Sequence, residues 1–251
     1  MIEEMEYLLE GAKSLGLKLT TGQLEEFYVY SQEIIRWNQK SNLTAITDPK
    51  EIQIKHLLDS LSIYPLIQNI PGLKVIDIGS GAGLPGIPLK IVLPDIEMVL
   101  LEANSKKASF LMHITETLEI KKIQVITGRA EEIAHFEEYR EKFQVVLSRA
   151  VAPLPVLVEL TLPFATLGGR LIAQKKNSQL EVTRSGPAIR ELGGKLLEIR
   201  SVELEGLEGH ELVIIEKIEN TPEKYPRHTG IPSKRPLGLQ RSEGKSGKGL
   251  T

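Results

Sequence analysis

Residues 75–89 read VIDIGSGAGLPGIPL, an apolar run holding one aspartate, then glycines at alternate positions, then a second apolar run. No other stretch limits the fold of this chain as strongly. The Val/Ile run suits a buried strand, and Gly79, Gly81 and Gly83 allow positive φ and close approach of bare backbone to another group. A helix over 86–93 then follows. Strand, glycine loop and helix together open a crossover unit, and the chain repeats that rhythm. LKVIDIG, IEMVLLE, IQVITG, FQVVLSRAV and RLIAQK read as five strands. Helices are expected over 105–118, at RAEEIAHF, over 155–167 and over 178–192, with Gly168–Gly169 as the turn before the fifth strand. KLLEIRSVEL and HELVIIEKI, separated by EGLEG, read as a hairpin. Apolar strands alternating with helices predict an α/β fold: a seven-stranded, mainly parallel sheet, covered on both faces, with an antiparallel terminal hairpin.

The first seventy residues carry a helical period instead. Thr20 and Gln23 match a capping box, followed by Leu24, Phe27, Tyr28 and Ile35 at helical spacing to about Trp37. After the turn-prone NLTAITDP, the stretch EIQIKHLLDSLSIY places Ile54, Leu57, Leu58 and Leu61 on one face of a second helix. Lys55, His56, Asp59 and Ser60 mostly project elsewhere. The expected organisation is a helical cap over 1–70, a ligand-binding core over 71–220 and a basic, Pro/Gly-rich tail over 221–251.

Composition narrows the setting. With no cysteine, disulfides and thiolate metal sites are impossible; an intracellular, cytoplasmic protein without a metal site is expected. The N-terminus is acidic where a signal peptide would be basic. The most apolar region, 145–167, contains Arg149, Glu159 and prolines and does not read as a membrane span. Charge is divided unevenly. From Thr221 on, seven basic residues face two acidic ones, so a tail of +5 follows a body of −7 in a chain of net −2. Such an arm suits phosphate seeking, and equally a solvated, disordered end.

In open α/β sheets, ligands bind beyond the carboxyl ends of the strands, where the glycine loop falls. It lacks the Gly-Lys-Ser/Thr ending of a P-loop, and the third glycine of a dinucleotide fingerprint is replaced by Leu84. Asp77, Gly79, Gly81 and Gly83 form D-x-G-x-G-x-G, which resembles the first motif of S-adenosylmethionine methyltransferases. At this point a methyltransferase, a nucleotide-cofactor oxidoreductase and a ligand-free loop all remain open. Glu102 ends the second strand, 23 residues after Gly79, where a carboxylate can accept ribose hydroxyls for either cofactor. Gly128-Arg129-Ala130-Glu131 follows the third strand, where methyltransferases hold the adenine edge. Landmarks on three successive strands favour the methyltransferase. Absences narrow the acceptor: pyrimidine C5 methylation commonly uses a cysteine, and exocyclic amines use an Asp/Asn-Pro-Pro-aromatic signature, where this chain has LSRAVAP. Guanine N7 is a lone-pair nucleophile and needs neither.

NLTAI, KHLLDSL, DIGSGAGLPGIPL, LLEANSKKASFL, GRAEE, SRAVAPL and KYPRHTGIPSKRPL occur from about Asn42 to Leu237 in the order found in the RsmG (GidB) family, which the chain therefore resembles. The resemblance implies a class I (Rossmann-like) methyltransferase fold and S-adenosylmethionine-dependent methylation of a guanine N7 in 16S ribosomal RNA by direct in-line transfer. The partner is then 16S rRNA, a 30S subunit or an assembly intermediate, and a monomer without membrane attachment is expected. It implies cofactor contacts at Gly79, Leu84, Ala130, Glu131 and Arg149, with Glu102, Ala103 and Asn104 by the ribose. Arg149 would pair with the methionine carboxylate, with a target phosphate, or in a structural salt bridge. Asn42, His56 and Asp59, with Lys55, come from the helical part and would position the target base; a plain His–Asp surface pair is the other reading. Lys224, Tyr225, Arg227, Lys234 and Arg235 are candidate RNA contacts, with Tyr225 stacking on a base, or the segment packs back on the core. Residues after Leu239 are expected to be disordered. Two departures from the family pattern are Gln144, often Asp, and AQKK in place of ALKG.

Overall fold

A computed structural model describes residues 3–238. Its strands are β1 (Lys74–Ile78), β2 (Glu97–Glu102), β3 (Ile123–Thr127), β4 (Phe143–Arg149), β5 (Ala165–Lys176), β6 (Gly194–Ser201) and β7 (His210–Lys217). They form one sheet in the order β3-β2-β1-β4-β5-β7-β6. The first five pair in parallel, while β7 enters between β5 and β6, antiparallel to both. Strand order reverses between β1 and β4, so the carboxyl end of β1 sits at the topological switch point.

The helices are α1 (Glu6–Ser14), α2 (Thr21–Ser41), α3 (Pro49–Ile52), α4 (Asp59–Leu61), α5 (Tyr64–Ile67), α6 (Gly86–Val92), α7 (Ser105–Thr117), α8 (Ala130–Ile133), α9 (Leu154–Thr161), α10 (Gln179–Glu191) and α11 (Ile231–Lys234). A π-helical turn over Gln53–Leu58 joins α3 to α4. Strand pleating divides the apolar residues between two cores. Val75, Leu100, Val145 and Ile172 meet α2, α6 and α7 through Phe27, Tyr30, Ile87 and Phe110. Ile76, Leu101, Val146 and Leu171 meet α9 and α10 through Leu157 and Ile189.

The N-terminal helices share the first of these cores. The capping box at Thr20 and Gln23 is formed as expected, and α2 runs past Trp37 to an αL cap at Asn42. Along its length α2 reaches three elements. Gln23 Nε2 donates to the Ile91 carbonyl at 3.2 Å, the Tyr30 hydroxyl to the Ala82 carbonyl at 2.6 Å, and Trp37 meets Phe110 edge-on at 5.5 Å between centroids.

Two local expectations change. The Gly168–Gly169 pair does not precede β5 but lies within it, at a register irregularity opposite Phe143–Val145. A Cβ on Gly169 would stand 2.9–3.0 Å from three backbone carbonyls, so the glycine permits a bulge where it reads as a turn. Second, of the two readings of the tail, the described part takes the one in which it packs back on the core, and not that of a solvated arm. Tyr225 is 4% exposed and its hydroxyl bonds Glu191, so it is not free to stack on a base. Arg227 donates its backbone N–H and Nε to Glu159 Oε1, both at 2.8 Å, and Nη2 to Oε2 at 2.6 Å. Arg140 donates to the carbonyls of Thr221, Pro222 and Tyr225. The disorder expected after Leu239 falls outside the described residues.

Glu159 is fully buried in α9, and a buried carboxylate stripped of its partner costs far more than a surface pair gains. Arg227→Ala should lower the unfolding free energy by roughly 3–5 kcal/mol in urea titration, whereas Arg227→Met with Glu159→Met should lose much less; equal losses would mean that the pair is not what holds the segment.

Candidate functional site

Beyond the carboxyl ends of β1 and β4 the surface opens into a cleft of about 570 Å³, continued over the β1 and β2 ends by a groove of about 250 Å³. Gly79, Gly81, Lys107 and Ala150 line both, so the two form one trough with the glycine loop as its floor. The three loop glycines answer different demands. A Cβ on Gly79 would meet Val151 at 2.4 Å and one on Gly83 would meet Ile87 at 2.4 Å. Gly81 is the one facing open space: its φ is +58° and the nearest atom to an added Cβ is the Gly79 carbonyl at 3.9 Å. Its bare backbone faces the trough because nothing within the protein fills it.

Glu102 fixes this floor. Its Oε2 accepts the Gly81 N–H at 2.8 Å and its Oε1 the Asn104 N–H at 2.7 Å. Each oxygen retains a lone pair, so the carboxylate can hold the loop and still accept a vicinal diol. Asn104 caps α7, its side chain accepting from Lys106 and Lys107. Ala103, Ala130 and Glu131 line the groove, and Glu131 Oε1 accepts the Gly230 N–H at 3.1 Å. The structure thus brings together Gly79, Gly81, Glu102, Ala103, Ala130 and Glu131 at one groove, with Leu84 on the side of the larger cleft.

Asp77 lies beneath the loop rather than beside the trough. It is fully buried, and Oδ2 accepts the Gly86 N–H at 2.9 Å, tying the start of α6 to β1, while Oδ1 has no partner. Burial raises its pKa to about 7, against the pull of the Gly86 hydrogen bond and Arg149.

Arg149, at the end of β4, is held by the N-terminal part. Nη1 donates to the Lys55 carbonyl at 2.8 Å and to Asp59 Oδ2 at 3.0 Å; Nη2 lies 3.1 Å from His56 Nδ1. A guanidinium only donates, so toward Arg149 the Nδ1 of His56 accepts, while the same Nδ1 stands 3.1 Å from the Lys55 carbonyl, which it can bond only as a donor; Nε2 lies 2.7 Å from Thr44 Oγ1. The imidazole is neutral: burial, then the Arg149 charge, lowers its pKa to about 4. The π turn sets this geometry by presenting the Lys55 carbonyl, His56 and Asp59 to one guanidinium. Of the alternatives for Arg149, the salt bridge with Asp59 is formed.

Asn42 is not gathered into this cluster. It is exposed at the αL end of α2, and the chain it turns, Leu43 to Ile46, lines the cleft. His210, not singled out in the sequence, and the AQKK strand end complete the wall. His210 Nδ1 donates to Asp59 Oδ1 at 3.0 Å, Gln174 Nε2 donates to the Asp59 carbonyl at 2.6 Å, and Lys175 and Lys176 stand at the rim. Gln144, the first departure from the family pattern, accepts the Lys74 N–H at the opposite end of the sheet. The second departure, AQKK, contributes directly to the cleft. Among the described residues, no cluster of three or more His, Asp or Glu has the arrangement of a metal site, and no helix is long and apolar enough to cross a membrane.

A sheet of this order with a glycine loop at its switch point and an acid closing β2 is the Rossmann-like fold of class I methyltransferases. A branched-chain polyamine synthase from Thermus thermophilus, solved with N4-aminopropylspermidine and 5′-methylthioadenosine, shares the fold at 14% identity, with a TM-score of 0.55 over 77% of this chain and 64% of that one. Residues 23–206 match the family model for rRNA small subunit methyltransferase G, GidB. The protein called ribosomal RNA small subunit methyltransferase G in Dehalococcoides mccartyi is 48% identical over 93% of this chain and 100% of its own length. Its namesake in Acetivibrio thermocellus is 45% identical over 92% of this chain and 95% of its own. The chain belongs to this family of ribosomal RNA methyltransferases.

Two expectations follow from the geometry. Gly81→Val forces a branched side chain into positive φ and into the trough, and should abolish calorimetric binding of S-adenosylhomocysteine while the fold persists. The second concerns pH. His56 takes up a proton in the unfolded chain near 6.5 but in the folded one only near 4, so its contribution is lost as pH falls through that window, by roughly 3 kcal/mol. Asp77 acts oppositely, since the folded protein holds its proton up to about 7 against a reference of 3.8, so its contribution is lost as pH rises. The two slopes oppose each other in a stability curve. Carbon-bound proton NMR of His56 separates them and should show titration near 4 rather than 6.5.

Proposed function

We propose that this protein methylates N7 of a guanine in 16S ribosomal RNA, with S-adenosylmethionine in the groove over β1 and β2 and the target base in the adjoining cleft. The observation that carries the reading is the shared glycine floor, which makes the two spaces one trough and so lets a donor and an acceptor meet over Gly79 and Gly81. The residues fit the cofactor: a backbone left open at Gly81, a carboxylate with spare lone pairs at Glu102 for the ribose, and Ala130 and Glu131 at the adenine side. Bound there, S-adenosylmethionine supplies an electrophilic methyl group on a sulfonium.

The chain's own task is then approximation and shielding. N7 is a lone pair that loses no proton on alkylation, so no general base is required. This agrees with a cleft in which Asp59 is tied up by Arg149, and His56 is neutral between Arg149 and Thr44. Positive charge moves from sulfur toward the purine during transfer, and fixed acceptors and carboxylates along the cleft stabilise that movement. Lys224, Lys234 and Arg235 are exposed on the described tail and, with Lys176 at the rim, are assigned to RNA phosphates. Tyr225 and Arg227 instead hold the segment in place.

The test supplies radiolabelled S-adenosylmethionine to 30S subunits, naked 16S rRNA and protein extract, then maps labelled RNA by cleavage at 7-methylguanosine. Label at one guanosine of 16S rRNA is expected. Label confined to protein or small molecules, or at another ring position, would refute the reading.

A further inference from the structure

The wall of the cleft opposite the glycine loop carries two hydrogen-bond acceptors that the protein leaves unused. Gln174, on β5, is 5% exposed. Its amide orientation is fixed because Nε2 donates to the Asp59 carbonyl at 2.6 Å, and this leaves Oε1 buried with no partner. His210, at the start of β7, donates Nδ1–H to Asp59 Oδ1 at 3.0 Å. In the neutral imidazole that bond keeps the proton on Nδ1 and leaves Nε2 a lone-pair acceptor, and among the described residues no group bonds Nε2. Both side chains line the same cleft as Gly79 and Ala150. The antiparallel register pairs Gln174 with Leu212 and Lys176 with His210, which puts Gln174 and His210 on one face of the sheet as diagonal neighbours. Asp59 braces both, one through its carbonyl and the other through its carboxylate.

We propose that Gln174 Oε1 and His210 Nε2 form an acceptor pair that reads the donor edge of the target guanine, its N1–H and 2-amino group. The assignment rests on the reading that the target is a guanine. Two adjacent acceptors match the two adjacent donors of that edge, whereas adenine presents a lone pair at N1 and would face His210 acceptor to acceptor. The match also bears on rate. Alkylation at N7 makes the purine cationic and its N1–H more acidic, so a hydrogen bond from N1–H to a neutral imidazole strengthens as the methyl group moves. That is stabilisation realised in the transition state rather than in the bound substrate. The Asp59 carboxylate on Nδ1 increases the accepting power of Nε2 in the same direction. The unpartnered oxygen of Gln174 gains its missing partner when the base arrives.

The test compares RNA substrates that carry guanosine, inosine or 1-methylguanosine at the target nucleotide. Inosine lacks the 2-amino group and 1-methylguanosine lacks N1–H, while both keep N7. With wild-type protein each analogue should lower kcat/KM by about 10²-fold or more, as expected where a site is built to bond the missing group. H210N keeps a donor to Asp59 but removes the Nε2 acceptor. It should lower kcat on guanosine RNA, leave the affinity for S-adenosylhomocysteine unchanged, and abolish one of the two analogue penalties; Q174L should abolish the other. Full persistence of both penalties in H210N and Q174L, with wild-type protein active on guanosine RNA, would overturn this assignment alone. Wild-type protein that leaves the guanosine substrate unmethylated would refute the guanine reading itself, and this assignment with it.

Discussion

The structure turns on one permanently charged group placed where water is scarce. Arg149 ends β4 at the sheet's switch point, and its guanidinium must find partners there because it cannot deprotonate. The partners come from elsewhere in the chain: the Lys55 carbonyl, His56 and Asp59, 90 to 94 residues earlier in sequence. Asp59 in turn takes His210 from the start of β7 and accepts Gln174 from the end of β5. A single charge thereby fixes how the helical N-terminal part sits over the sheet and which atoms remain free in the cleft. Without that pairing, the π turn would have no reason to present three groups to one point.

The opposite wall is held by a different device. Glu102 carries two backbone N–H groups of the floor, and the Tyr30 hydroxyl holds the Ala82 carbonyl of the same loop from the side of α2. The glycine loop is therefore braced from β2 and from the N-terminal helices before any ligand arrives. Preorganisation of this sort suits a reaction whose main demand on the protein is alignment, because little ordering remains to be done on binding.

Much of this was legible in the sequence, and the reason is locality. Strand runs, the capping box at Thr20 and Gln23, and the loop glycines each depend on near neighbours, and their spacing carries the information. The groove over β1 and β2 was legible as a place, because its parts fall at the ends of successive parallel strands in chain order. The far wall was not. His210 and Asp59 are 151 residues apart, and nothing in HELVIIEK distinguishes a histidine facing a cleft from one on a surface hairpin until β7 is known to pair with β5. Gln174 reads as part of a strand end. The tail stayed open between two readings for a related reason: Tyr225 and Arg227 look solvated in a basic, proline-rich stretch, while their partners Glu191 and Glu159 lie in helices remote in sequence. The Gly168–Gly169 pair signals a break in extended chain, and a bulge satisfies that signal as well as a turn does.

The internal pairing of the cleft has a consequence for where RNA affinity must reside. Arg149 spends its charge on Asp59 and Lys175 on Glu181, and His56 carries none, so the cations the cleft lining leaves for a polyanion are Lys107 and Lys176. The floor is bare backbone and the far wall bears acceptors, which favour a base and repel a phosphate. Under the proposed reading the division of labour is sharp. The far wall discriminates among bases, while attraction to the backbone falls to Lys107 and Lys176 on the cleft lining and to Lys234 and Arg235, exposed on the tail. Phosphate contacts position and base contacts specify. A body of net negative charge can still bind RNA if those cations are gathered on one side, and it then repels RNA from its other faces, which favours approach with the cleft foremost.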